Sequence, residues 1–321
     1  AGVSDEGTGD ETVRIAAFDG HTVTLDQVLA RDHLPPSSEF QIHVANTTRN
    51  AVIESQNTAL DRRGHVMFMH SRDVSIAYGG FYELGRTNKL RAPDDAVLNS
   101  DGSLVAGTGT NVRGRYSVHF HRSGVQASSR PAVVHGTAVV GNPGWGYVNH
   151  SSYVEMTDNV AFNVAGSAFA TEAGDEIGMF VRNLAIRTHG TEGDTDVERE
   201  PLEDWGHEGN GFWLQGPGVT VEHNVAAGAT GSGLYVYANG LTQAGSGKTM
   251  FLAENLNDPA LAKGVHNLPV ALVPLKSFRH NTVYGSVEGA AFAYLDSLLK
   301  VEDEGLAALR EHGWEFEPSV V

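Results

Sequence analysis

The stretch Tyr116-Ser117-Val118-His119-Phe120-His121 sets two histidines two residues apart, between apolar neighbours. Side chains alternate between the faces of an extended chain, so Val118 and Phe120 share one face and both histidines the other. The strand rise then places the two histidine Cβ atoms about 6 to 7 Å apart, a separation suited to joint coordination of a metal. The same parity in Gly64-His65-Val66-Met67-Phe68-Met69 turns Val66 and Phe68 to the apolar side and His65 to the outer one. In Phe169-Ala170-Thr171-Glu172 an inward Phe169 leaves Glu172 facing out, and Asp175 and Glu176 follow in an acidic turn. Trp213 and Gln215 face out if Phe212 and Leu214 face in, as do Tyr235 and Tyr237 if Leu234 and Val236 are buried. For His150, an inward Val148 sends the imidazole inward by strict alternation, unless the turn after Asn149 resets the phase. A histidine on a solvated strand is ordinarily a plain surface residue, so partners on neighbouring strands decide whether His119 and His121 form a site.

The elements that must supply those partners are short strands. Glycine is abundant, at 38 residues, and brief apolar segments such as Ala51–Glu54, Val74–Tyr78, Tyr153–Met156 and Val219–Glu222 are separated by turns rich in Gly, Asn and Asp. Gly146-Tyr147-Val148 is echoed about 21 residues later by Ser167-Ala168-Phe169, and Gly211-Phe212-Trp213-Leu214 about 22 residues later by Gly233-Leu234-Tyr235-Val236, a period that marks a β-solenoid. A β-sandwich also has many short strands, but it seldom keeps one period so far along a chain. The expected fold is therefore all-β, a right-handed parallel β-helix, with residues 12–321 as a single domain after a flexible opening at 1–11. Stacked coils about 4.8 Å apart would align the outward residues into one ladder. Two excursions leave the coils: residues 190–208, rich in Asp, Glu and Thr, and residues 238–269, with a short helix expected over 250–263. From Leu295 onward, over about 295–312, a helix is expected to cap the open end, where a bare last coil would expose sheet edges.

Composition narrows the partners. Lys and Arg number 22 against 39 Asp and Glu, a net charge of −17. That balance argues against nucleic acid and against anionic lipid as partners, and no apolar run approaches the length of a membrane span. Arg113, Arg115 and Arg122 still offer a local basic patch beside the histidine pair. The chain has no cysteine, so a bound metal relies on imidazole, carboxylate or backbone oxygen. Imidazoles favour zinc or another transition metal, whereas a carboxylate cluster favours calcium. The first residues do not read as a signal peptide, and the chain is read as a processed secreted protein.

Several segments resemble one family in order and spacing. They are Thr48-Arg49-Asn50-Ala51-Val52-Ile53, Gly64-His65-Val66-Met67-Phe68, Gly114-Arg115-Tyr116-Ser117-Val118-His119-Phe120-His121, Gly166 through Glu176, Gly211-Phe212-Trp213-Leu214 and Asn224-Val225-Ala226-Ala227-Gly228. The family is the β-helix region shared by the cell-migration-inducing hyaluronan-depolymerising protein, transmembrane protein 2 and fibrocystin-like proteins, and the resemblance covers roughly residues 46–237. It implies a right-handed β-helix, an extracellular setting and a role on glycans, hyaluronan being the substrate of the best-known animal members. His65, His119, His121, His150 and Glu172 match motif positions, with Asp175 and Glu176 in the same acidic turn. The chain departs from the animal proteins in having no cysteine and in carrying Ser151-Ser152 where they have Gly-Ser, and it reads as a bacterial relative.

The resemblance makes a polysaccharide the expected partner and glycosidic-bond cleavage the leading activity. Hydrolysis would use an acid such as Glu172 and a second carboxylate, Asp175 or Glu176, to activate water. Elimination from a uronate would use a base, for which a histidine such as His150 is suited, and a cation such as Arg115, Arg122 or a metal held by His65, His119 and His121. Trp213, Tyr235 and Tyr237, with Arg122, would contact the sugar. The rival from another class is a non-catalytic glycan-binding or adhesion module, and a third reading gives the histidines a structural metal that pins adjacent coils.

Overall fold

A computed structural model describes residues 11–35, 38, 41–191, 205–243, 247–262 and 264–295. Its core is a parallel β-helix of three ladders. The first stacks Met67–Met69, Val118–Gly124, the opening of Tyr147–Thr157, Ser167–Thr171, Asn210–Leu214, Ser232–Tyr237 and Glu288–Ala293. The second stacks Ser75–Ala77, Ala132–His135, the rest of Tyr147–Thr157, Ile177–Val181, Val219–Glu222 and Ser277–Arg279. The third runs from Ala51–Glu54 through Gly79–Tyr82, Ala138–Asn142, Val160–Ala165, Leu184–His189 and Val225–Ala229 to Thr282–Tyr284. The repeat read from the sequence is the coil: Phe212 pairs with Leu234 and Trp213 with Tyr235.

Each coil buries its inner residues only against its neighbours. Val118, Phe120, Tyr147, Phe169, Phe212 and Leu234 fill the bore. Their rings stack along its axis, Tyr147 on Phe169 at 4.8 Å and Phe169 on Phe212 at 4.9 Å between centroids. At the corner between the second and third ladders, Asp158, Arg182, His223 and His280 take left-handed φ near 55°. Each precedes an asparagine, and Asn159, Asn183 and Asn224 each donate to the next amide up the stack, ending on Asn281, at 3.0 to 3.1 Å. Asn159, Asn183 and Asn224 are buried, so this ladder satisfies amides that water does not reach.

The corner between the first and second ladders positions the site. Arg122 and Ser151 adopt left-handed φ of 53° and 45° directly after His121 and His150, so both histidines end straight strands at one bend. Residues 250–263 differ from expectation. Instead of a helix they form the strand Met250–Leu252 and 3-10 turns at Ala253–Asn255 and Pro259–Ala262. Phe251, Ala253 and Ala262 pack there with Leu268, Val273 and Ile177, an apolar contact that fastens the excursion to the helix wall without a regular helix. The expected capping helix and the acidic part of the first excursion lie outside the described residues, as does nearly all of the flexible opening at 1–11.

Candidate metal centre

His119 is the outward residue between Val118 and Phe120, as the alternation requires. It does not face solvent, being 1% exposed. The outer face of the first ladder has an apolar layer of its own, formed by Tyr116, Trp145, Val148, Ala170, Trp213 and Tyr237. This layer corrects the phase of His150. Tyr147, not Val148, fills the bore, Val148 pairs with His119, and His150 pairs with His121 on the outer face. His119, His121 and His150 thereby converge, one ring nitrogen from each lying within 4.8 Å of the others.

The second nitrogens fix the rings. His119 Nδ1 donates to the carbonyl of Gly114 at 2.9 Å, which leaves Nε2 with its lone pair. His150 Nδ1 donates to Glu172 Oε2 at 2.8 Å, again leaving Nε2 as the acceptor. Nε2 of His119, Nδ1 of His121 and Nε2 of His150 are all buried without a hydrogen-bond partner. Three orphaned imidazole nitrogens facing one another are costly, and a divalent cation satisfies all three. A three-nitrogen set with bonds of about 2.0 to 2.1 Å requires the rings to draw in from separations of up to 4.8 Å. A carboxylate that accepts from the far nitrogen of a ligating histidine is the usual outer support of such a centre.

The charges agree with that use at two of the three rings, and at His150 a proton competes with a metal. Burial holds His119 at about 4, against the pull of Glu172, and burial with the neighbouring His150 holds His121 at about 4. Both are neutral imidazoles at neutral pH, the state a metal ligand needs. Burial works against a proton on His150, but the charge and hydrogen bond of Glu172 prevail and raise it. Burial also opposes ionisation of Glu172, yet His150 and His119 together bring its carboxyl down to about 2.

His65 is not brought into this group. The register sets Met67 beside His119 and Met69 beside His121, so His65 falls one step outside, half-buried, with its proton disfavoured by burial and by Arg115 and Arg86. The group that converges is thus His119, His121 and His150, with His65 outside it. Glu176 is 1% exposed, and its carboxylate accepts the backbone N–H groups of Ser151, Glu172, Ala173 and Gly174 at 2.6 to 3.2 Å. Burial and the adjacent Asp175 push it up to about 7. It is a brace that ties the His150 corner to the Glu172 turn. Asp175 is half-buried in the same turn, raised by burial. Arg115 is half-buried beside His65, and Arg122 is exposed at the bend. Trp213 is 2% and Tyr237 8% exposed, stacked on each other at 5.3 Å, with Tyr235 half-buried against Trp213. These aromatics chiefly cover the sheet and do not form an open stacking platform.

Three contributors went unread in the sequence. Gly114, at φ +77°, brings its carbonyl to His119, and a glycine opening the histidine motif was the available signal. Lys89 and His207 are both fully buried and pack at one edge of the aromatic layer. Lys89 Nζ lies 4.1 Å over the Trp145 ring and 3.3 Å from His207 Nε2.

Fold and site together define a parallel β-helix protein with a buried three-histidine, one-carboxylate cluster on its outer wall. The CEMIP beta-helix family model matches residues 102–290, and the chain belongs to that family. No curated protein and no solved structure matches the chain significantly. Among the described residues, no helix is long and apolar enough to cross a membrane.

Proposed function

We propose that the protein is an extracellular glycan-cleaving enzyme, acting on a uronic-acid-containing or hyaluronan-like polysaccharide, with a divalent metal held by His119, His121 and His150. The observation that carries the reading is the convergence of three partnerless imidazole nitrogens, two of them oriented by the Gly114 carbonyl and by Glu172. Family membership supports the glycan, because the family's name-giving protein acts on hyaluronan. Nitrogen donors favour zinc or another transition metal over calcium. We take residues 12–321 as one domain wound right-handed, since parallel strand-to-strand crossovers are right-handed in nearly all sheets.

His119, His121 and His150 would hold the cation, which would supply Lewis-acid charge to an oxygen of the glycan. Glu172 holds the proton of His150 on Nδ1 and keeps Nε2 aimed at the cluster. Gly114 does the same for His119. The aromatic layer excludes water from the rear of the cluster, and His121, half-exposed, marks its open side. The two-carboxylate hydrolysis expected from Glu172 with Asp175 or Glu176 is not favoured. Glu172 is ionised at neutral pH and has no proton to give, and Glu176 is engaged by four backbone donors.

The test is a screen of uronic-acid glycans for new reducing ends and for unsaturated products, with wild type and His121→Ala. Turnover that falls by orders of magnitude in the variant, with its fold intact, supports the enzyme. Glycan affinity without turnover in either protein would make the chain a binding module. Metal removal that lowers the melting temperature while no glycan is cleaved would leave a structural metal.

A further inference from the structure

A cavity of about 180 Å³ opens where the excursion after Ala238 folds back onto the second ladder. Its walls are Phe251, Leu256, Leu261, Val273 and Pro274, with Gly218 behind them, and none of them belongs to the imidazole cluster. The Phe251 ring lies so close to Gly218 that a Cβ there would stand 2.3 Å from it. Glycine at that position therefore lets the excursion lie against the helix wall. The frame is tied on both sides. Lys276 N–H donates to the Pro217 carbonyl at 3.0 Å, and Asn257 Nδ2 donates to the Lys276 carbonyl at 3.0 Å. Asn255 turns its amide away from the cavity, accepting from the Ala127 N–H at 3.1 Å and donating to the Val125 carbonyl at 2.6 Å. Lys276 borders the cavity half-buried. Burial alone lowers its ammonium from the ordinary lysine value, and among the described residues no carboxylate pairs with it. That isolation stands out in a chain with 39 acidic side chains against 22 Lys and Arg.

The cavity thus presents apolar walls and one unpaired cation. Asp258 also borders it, but that side chain is exposed and its Oδ1 accepts the Ala260 N–H at 3.1 Å. It caps the turn Pro259–Ala262, and solvent screens its charge. A sugar finds few hydrogen-bond partners on such walls. A phosphate needs several converging donors, where a single ammonium stands. A neutral apolar molecule would take the ammonium further from water and return nothing to it. A carboxylate supplies the missing countercharge through a charge-assisted hydrogen bond, and an apolar body covers the walls. An apolar cavity of about 150 Å³ accepts benzene, so this one has room for a single six-membered ring. We propose that the cavity binds a small monocarboxylate with an aryl or branched-alkyl body, its carboxylate on Lys276 Nζ and its body against Phe251, Leu256 and Val273. The site is separate from the metal centre, and it stands whether or not that centre cleaves a glycan.

The test is an NMR titration of the whole chain with benzoate and, in parallel, its neutral counterpart benzamide, following the backbone amides of Asn257, Leu261 and Lys276. Saturable shifts are expected with benzoate, and binding of benzamide about tenfold weaker or worse, the worth of one hydrogen bond to a charged group. Lys276→Met keeps the aliphatic stem and removes the charge. It should erase the difference between the two probes and leave the melting temperature unchanged or higher, because the ammonium has no partner to lose. Leu261→Ala, at the exposed rim, should weaken both probes together. Equal binding of the two probes by the wild type, no saturable shift with benzoate, or a difference that survives Lys276→Met overturns the site. A melting temperature lowered by Lys276→Met makes the lysine structural and overturns it as well, and so does benzoate binding unaltered in Leu261→Ala.

Discussion

Replacing Glu172 with glutamine takes one negative charge from the side of the three imidazoles and almost nothing from their shape. The glutamine carbonyl still accepts from His150 Nδ1, where the carboxylate does so at 2.8 Å, so the ring keeps its tautomer. What is lost is charge: the hydrogen bond becomes neutral, and the carboxylate 3.6 Å from His119 Nε2 no longer strengthens the ligand set. Outer partners of this kind are worth about 10- to 100-fold in metal affinity, or about 1.4 to 2.7 kcal/mol. Folding stability of the metal-free protein should fall by only about 1 kcal/mol, the difference between a charged and a neutral hydrogen bond. Glu172→Ala strips the acceptor and leaves a buried N–H unsatisfied, so it should lower both quantities further. Competition against a chelator of known affinity gives the first quantity and urea denaturation of the metal-free protein the second. Affinity unchanged in Glu172→Gln would refute the reasoning, since the carboxylate would then be no support of the centre. Complete loss of binding would refute it differently, by making Glu172 itself a ligand.

Further outcomes follow from the same geometry. The proton on His150 is raised by Glu172 and must leave when a cation binds, so affinity should climb about tenfold per pH unit through the region near neutrality. It should fall more steeply toward pH 4, where His119 and His121 also take protons; chelator competition at several pH values reads the slope, and a flat profile contradicts it. Gly114→Ala puts a side chain at φ +77° with its Cβ 3.5 Å from His119 Cε1, and should cost about 1 kcal/mol in denaturation and weaken the metal. Glu176→Ala abandons four backbone donors and should destabilise by about 3 kcal/mol or more, seen as a lower denaturation midpoint whether or not metal is present. Trp213→Ala should cost about 3 to 5 kcal/mol because that ring is packing, and a variant of native stability would restore it to a sugar-stacking role.

The sequence disclosed what depends on alternation and concealed what depends on register. Val118 and Phe120 flank their histidines with residues that belong in the bore, so the outward phase of His119 and His121 was readable from six letters. Val148 beside His150 reads as interior by the same logic. It is apolar because the outer face of this ladder carries a second apolar layer, and a one-face pattern gives no sign of two. His65 shares the correct face, yet only coil-to-coil register shows that Met67 and Met69 occupy the positions next to the pair. Glu172 was legible because the bulky Phe169 fixes its phase, and the small Ala170 on the outer face does not outweigh it. The buried Lys89–His207 contact joins segments 118 residues apart, so local pattern carries no trace of it, whereas the Gly114 carbonyl is signalled only by the glycine that opens the histidine motif.

Anomalous diffraction from crystals of the protein loaded with zinc tests the metal centre most directly. One strong peak is expected among His119, His121 and His150, about 2.0 to 2.1 Å from one nitrogen of each, and it should disappear in His121→Ala. No peak there, or a peak at the Glu172–Asp175 turn with the three rings turned away, contradicts that centre.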